Sequence, residues 1–342
     1  MNRAFIDWKH RYDAQRIATD ADQSEWEAVR LHTTNIDAGI RDEIMGGELA
    51  NTEAREDRAA VVSDEVRRRS ALLGKNYPFS RSGNSLQYNG SASRVYEFWL
   101  CITFLESLST EVGKRFQIAF ERLIRDVLVS HLGGDAIGLR TGVPNDSLEP
   151  RPEVIKGIIA ELNKLAPDEW RWNPEHRYPE EPDITDLGDL GMDVVACRPF
   201  EGKRGSDLFF VGQCACGLTD WHQKLHEPDA QRLSSWIRPI TYVPFVRVFA
   251  VPFHLPNTAF LGEVAKSSRA LPLDRARIVE IAERAGNSEH IRTQAKEAYE
   301  TLVNLAISGG RVVPRGSGRS RRKGGAGRRS RSRGSADEST QP

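Results

Sequence analysis

The sequence predicts a mixed α/β fold: a mixed central sheet flanked by helices, a helical region ahead of it and a disordered tail behind it. Three observations predict this. Segments such as 111–134 carry apolar residues at helical spacing and end on glycine. Short apolar runs at 192–197, 208–216 and 242–253 are bounded by turn residues, as buried strands are. From Gly309 onward Gly, Arg and Ser dominate, a composition that cannot build a core.

Taken in order, residues 3–72 are charged and nearly free of Gly and Pro. Trp26, Val29 and Leu31 fit one helix, Ile40, Ile44 and Leu49 a second, and 53–73 a third that Gly74 stops. "NYPFSRSGNSLQYNGS" reads as short strands about a Ser-Gly-Asn turn. "SRVYEFWLCITFLESLS" is apolar on all sides and predicts a buried helix, with Cys101 packed as a small hydrophobe. In 111–134, Phe116, Phe120, Leu123, Ile124, Val127 and Leu128 form one apolar stripe, stopped by Gly133. A further helix follows at 152–169, then "WRWNPEHRYPEEPDITDLGDLG" as loop, then a hairpin. After the hairpin come a short helix in "TDWHQKLHE" with Thr219 as its cap, a buried strand in "YVPFVRVFAVPF", and two closing helices at 272–286 and 288–308. The expected divisions are a helical region 1–75, a linking segment 76–112, a core 113–255, C-terminal helices 256–308 and the tail 309–342.

Bulk properties narrow the function. Formal net charge is zero over 342 residues, yet the tail from Gly309 holds ten basic residues against two acids. An acidic body therefore carries a basic arm. Four cysteines are too few for a disulfide scaffold, the opening residues hold no signal-peptide apolar run, and no stretch approaches the roughly 20 apolar residues of a membrane helix. These point to a cytoplasmic protein with no membrane partner.

The hairpin concentrates the chemistry. With "MDVVAC" and "LFFVGQCAC" joined by "RPFEGKRGSD", a loop centred near Arg204 places Asp193 opposite about Ala215, with Gln213 diagonal to it. Alternation puts Gln213 and Ala215 on one face, grouped with Asp193, and Cys214 and Cys216 on the other as packing residues. An acid and an amide oxygen at one hairpin end are hard ligands of the kind Mg²⁺ or Mn²⁺ takes. Glu121, beside Phe120, stands at the rim of the upstream helix, and Asp186 and Asp189 are reserve carboxylates. A zinc site is disfavoured because Cys214 and Cys216 lack a second ligand pair, and His222 and His226 lack a third ligand.

A helix containing "FE", a strand opened by "GMD", a strand ending in "GQCA" and a following helix together resemble the restriction-endonuclease-like, PD-(D/E)xK nuclease superfamily, over residues 115–250. The resemblance implies a restriction-endonuclease-like core and a Mg²⁺- or Mn²⁺-dependent endonuclease that cleaves DNA in bacterial restriction or anti-phage defence. Glu121, Asp193 and Gln213 match the metal-binding and catalytic positions. The lysine position holds Ala215; in some members the lysine sits on the following helix, where this chain has Lys224. The alternative is a nuclease fold that no longer cuts and serves as a DNA-binding or partner-binding component. Nucleic acid is the expected partner, DNA ahead of RNA. The tail residues Arg319, Arg321, Arg322, Lys323, Arg328 and Arg329 are candidate phosphate contacts. The N-terminal helices are candidate surfaces for a protein partner or a homodimer.

Overall fold

A computed structural model describes residues 3–36, 52–104, 110–133, 135–141, 155–165, 170–172, 189–202, 207–218, 220–239, 245–284 and 289–307. The fold is mixed α/β, with eight α-helices among the described residues and a five-stranded mixed sheet at its centre. The expected helix at 40–49, the cap at Thr219 and the basic tail lie outside the described residues.

The central sheet is built from β4 (Ile137–Arg140), β6 (Val194–Arg198), β7 (Leu208–Cys214), β9 (Val246–Ala250) and β10 (Leu271–Leu273), in the order β10-β9-β7-β6-β4. The hairpin side is antiparallel, β4 to β6 and β6 to β7. The other side is parallel, β7 to β9 and β9 to β10. Near-continuous burial of β6 and β7 explains their runs of Val, Ala, Phe and Cys, since both faces are covered.

On one face lies α4 (Thr110–Leu132), whose Phe116, Phe120, Leu123, Ile124, Val127 and Leu128 pack against Val194, Ala196, Phe210, Cys214 and Val248. Each such side chain taken from water contributes about 1.5–3 kcal/mol. The helix ends where the next residue, Gly133, turns to φ +65°. Two further helices, α7 (Arg275–Ala282) and α8 (Glu289–Ile307), extend the same core. The opposite face is covered in two patches. Near β6, Val195, Cys197, Phe209 and Val211 meet α5 (Ile155–Leu165) and a two-stranded ribbon, β5 (Trp170–Trp172) with β8 (Ile237–Pro239). Near β9, Phe249 and Ala215 meet Trp221, Phe253 and the π-helical segment Thr258–Ser267. The residues expected as loop at 170–172 thus form a strand; three residues are too few to show a period.

The N-terminal region folds onto this body. Helices α1 (Arg3–Leu31) and α2 (Thr52–Leu73) pack beside a small sheet of β1 (Thr33–Asn35), β2 (Phe79–Ser82) and β3 (Ser85–Tyr88), with α3 (Val95–Thr103) buried along its whole length. Between them and α7 lies a cluster of charges with no solvent exposure at the two arginines. Arg69 donates to Asp22 (2.6 Å), Glu25 (3.0 Å) and Glu65 (2.9 Å). Arg275 donates to the same Asp22 Oδ1 (2.8 Å), to Glu25 (3.3 Å) and to Thr103 (2.8 Å). Tyr77 and Tyr96 each donate a hydroxyl to Glu25 at 2.7 Å. Because the Tyr96 proton goes to Glu25, the 3.1 Å contact from His254 Nε2 requires that nitrogen to carry its hydrogen. The hydrogen bonds from α2 and α7 to α1 cross long stretches of sequence and weld the ends of the chain together.

Candidate active site

Asp193 sits on a bend one residue before β6, and backbone bonds fix it on both sides. Its N–H donates to Gly212 O at 2.9 Å and its carbonyl accepts from Thr141 N at 2.9 Å. The turn leading in uses Gly191 at φ +77°, where an added Cβ would lie 2.7 Å from Glu227 Cβ, so glycine serves both the dihedral and the close approach. The pairing of Val194 with Gly212 brings Asp193 level with Gln213, two residues short of the expected Ala215. A loop of this length leaves the register open, and the pairing settles two residues earlier on β7.

The faces of the β7 residues are as expected, and only Asp193 departs from the alternation. Gln213 does share the side of Val211 and Phe249, and Ala215 packs there with Trp221. The Gln213 amide donates to Cys214 O at 3.2 Å, and its Oε1 is buried with no hydrogen-bond partner. Asp193 stands at the strand edge: its Oδ2 accepts from Cys214 N at 2.7 Å, and both Glu121 and Lys224 act on it. The cysteines face α4 and pack in its core, as expected, and the nearby acids act on their thiols. Being in a bend, Asp193 escapes the strand alternation that grouped it with Gln213.

Glu121 approaches from α4, buried between core residues of its helix, with its carboxylate 3.3 Å from Arg140 Nε at the end of β4. Arg140, 1% exposed, was not foreseen; its strand is four residues long and its only sequence signal is an arginine closing an apolar run. Lys224 lies on a 3-10 turn, Trp221–Lys224, rather than an α-helix, and is partly buried. Asp220 occupies the cap position of that turn, with no side-chain capping bond.

These groups act on one another. Desolvation and the neighbouring Glu121 charge push the Asp193 carboxyl well above the usual carboxylate range, and Asp189 adds to this. The Cys214 N–H and Lys224 oppose the rise without cancelling it. Burial likewise raises the Cys214 and Cys216 thiols, helped by both acids and opposed by Lys224. The thiols are therefore held protonated, which makes them poor nucleophiles and poor metal ligands. Asp193 makes no ion pair among the described residues.

Among the described residues no three His, Cys, Asp or Glu side chains are arranged to hold a metal ion. Two adjoining carboxylates nevertheless suit Mg²⁺, which keeps most of its waters and takes one or two carboxylates plus substrate phosphate. Glu121 and Asp193, which act on each other, are the candidates for such a pair. The Gln213 carbonyl, orphaned and buried, has the right donor atom but stands on the other side of its strand. His222 instead pairs with Glu263 at 3.2 Å.

Comparison of the chain with protein families, with curated proteins and with solved structures finds no match. The functional reading therefore rests on the side chains themselves.

Proposed function

We propose that the chain is a metal-dependent endonuclease with a restriction-endonuclease-like core, acting on DNA. The observation that carries this reading is Asp193: a buried carboxyl at the mouth of the hairpin, raised by the charge of a second acid, Glu121, in electrostatic reach of Lys224, and with no ion pair among the described residues. Such a group costs stability, and one that persists at a sheet end is a candidate for chemistry.

Glu121 and Asp193 would hold a divalent cation. When bound, that ion would supply Lewis acidity and a more acidic water. Lys224 would bind the scissile phosphate and stabilise the charge that grows on it as water attacks phosphorus and the P–O bond to the leaving oxygen breaks. Asp193, which holds its proton strongly in the absence of a cation, would release it on taking up the ion. Arg140 would fix the Glu121 carboxylate. A role in restriction or anti-phage defence is the biological setting this reading suggests.

A second reading has its own support. Arg140 already neutralises Glu121, and Ala215, in the position where the resemblance places a lysine, is packed against Trp221. A binding protein on a nuclease fold would tolerate both. The deciding experiment incubates the purified chain with plasmid, linear DNA and RNA in Mg²⁺ or Mn²⁺. Cutting of DNA that Asp193→Ala and Lys224→Ala abolish supports the nuclease. Intact DNA, or an Asp193→Ala variant as fast as the parent, leaves the binding protein.

A further inference from the structure

The ribbon of β5 and β8 carries an arrangement that packing does not call for. Its inner side is apolar: Trp170, Trp236 and Ile237 are buried, Trp172 stacks on Trp236 with ring centroids 5.8 Å apart, and Trp170 lies against Phe209 at 5.1 Å. Asn163 of α5 clamps β5 by bonding both the N–H and the carbonyl of Trp170. On the outer side, Arg171 and Arg238 are direct cross-strand partners, and both are exposed. Neither makes a hydrogen bond or ion pair among the described residues, in contrast to Arg30, Arg67, Arg68, Arg284 and Arg292, which all meet a carboxylate.

Directly opposed strand residues hold their Cβ atoms about 4.5–5.5 Å apart, and like charges there repel. Any neutral polar pair would serve the ribbon better as structure. An anion placed between two guanidinium forks turns the repulsion into attraction, and phosphate matches that fork geometry. The body that carries this pair is acidic overall, so the two arginines are a local exception to its charge. The ribbon is also tied to the candidate site. Its apolar side packs with Leu190 and Met192, the residues that lead into Asp193, and the segment that follows Lys224 runs through α6 (Ala230–Ser234) directly into β8.

We propose that the Arg171–Arg238 pair is a phosphate clamp that grips the backbone of DNA and holds it against the body that bears Asp193. The pair grips phosphates without reading bases, and the stacked tryptophans beneath keep the ribbon rigid. This inference rests on the nuclease reading for its choice of DNA, but its test measures binding, not cleavage.

The test uses the full chain carrying Asp193→Ala, in EDTA, and titrates fluorescent duplex DNA over a range of salt concentrations. Arg171→Gln with Arg238→Gln should weaken binding about tenfold or more and lower the salt slope of log K by about 2, one for each lost phosphate contact. Arg171→Glu with Arg238→Glu should weaken it further. Thermal unfolding of the Gln variant should match or exceed that of its parent, because the repulsion is gone. Parental affinity and slope in both double variants would overturn the clamp, as would absence of DNA binding by the parent protein. Loss of binding to polyglutamate but not to DNA would overturn it too and assign the pair to an acidic protein. If DNA binds through the pair and the wild-type chain cuts nothing, the nuclease reading fails alone. If the wild-type chain cuts and the double variants bind as before, the clamp fails alone.

Discussion

Two of the groups of buried charge among the described residues are built on opposite plans. In the N-terminal cluster Arg69 and Arg275 face Asp22 and Glu25, Glu65 at the edge is shared between Arg69 and Arg68, and two phenols complete the bonds of Glu25. Both Glu25 oxygens accept from a guanidinium and a phenol. At the end of the central sheet, Glu121 has Arg140, but Asp193 has a backbone N–H and the weaker pull of Lys224 against the charge of Glu121. Balanced charges inside a protein act as a scaffold, since breaking any one strands the others. An acid left unbalanced is maintained against stability, which is the mark of a site kept ready for a ligand.

The largest effect should come from unbalancing the balanced cluster. Arg275→Met leaves Asp22 and Glu25 with one cation between them and should cost about 3–5 kcal/mol in a urea unfolding titration. A loss below about 1 kcal/mol would break the comparison, because the cluster would then not be a scaffold. The unbalanced site should respond in the opposite direction. Asp193→Asn keeps the shape, removes the cost of protonating or burying the carboxylate, and should stabilise the fold by about 1–2 kcal/mol near neutral pH, at the expense of the proposed cleavage.

The two regions should also differ in the sign of their pH dependence. Asp193 has a folded proton affinity above its unfolded one, so the native state holds a proton that the unfolded chain has released. Stability contributed by that proton falls as pH rises from about 4 through the raised value, by up to about 1.4 kcal/mol per pH unit. The advantage of Asp193→Asn should therefore vanish below about pH 4 and grow toward neutrality. His254 is the reverse case: desolvation, then the Arg69 and Arg275 charges, hold it well below the usual imidazole range. The unfolded chain gains a proton that the native state refuses, so stability falls as pH drops below about 6.5. His254→Gln should flatten that limb alone in unfolding titrations taken at a series of pH values. The smallest effect is local. Gly191→Ala must adopt φ +77° and press on Glu227, costing about 1 kcal/mol and disturbing the turn that presents Asp193, which thermal unfolding can read.

The positions of the candidate site residues were legible because local patterns mark the elements that carry them. The stripe of α4 placed Glu121, the bounded apolar runs placed Asp193 and Gln213, and proximity in sequence placed Lys224 just beyond β7. The sequence does not say which way Asp193 turns, because it precedes the ladder by one residue and strand alternation does not bind it. Arg140 and the Trp170–Trp172 strand were missed for want of length: three or four residues carry no period. The N-terminal cluster was invisible for a different reason. Asp22 and Arg275 stand far apart along the chain, and charged residues on a helix read as a wet face until another element covers them. What composition showed as a charged helical region is, in the structure, the anchor that joins α1 and α2 to α7.

The central claim is that Asp193 is an unbalanced carboxylate awaiting a cation. Its most direct test is the thermal midpoint of the full chain with and without millimolar Mn²⁺, for the parent and for Asp193→Asn. A cation that binds the native state alone must raise the midpoint. The account predicts a clear rise for the parent and none for Asp193→Asn, which should already melt higher in the absence of metal. Equal shifts in the two proteins, or no shift in the parent, would contradict it.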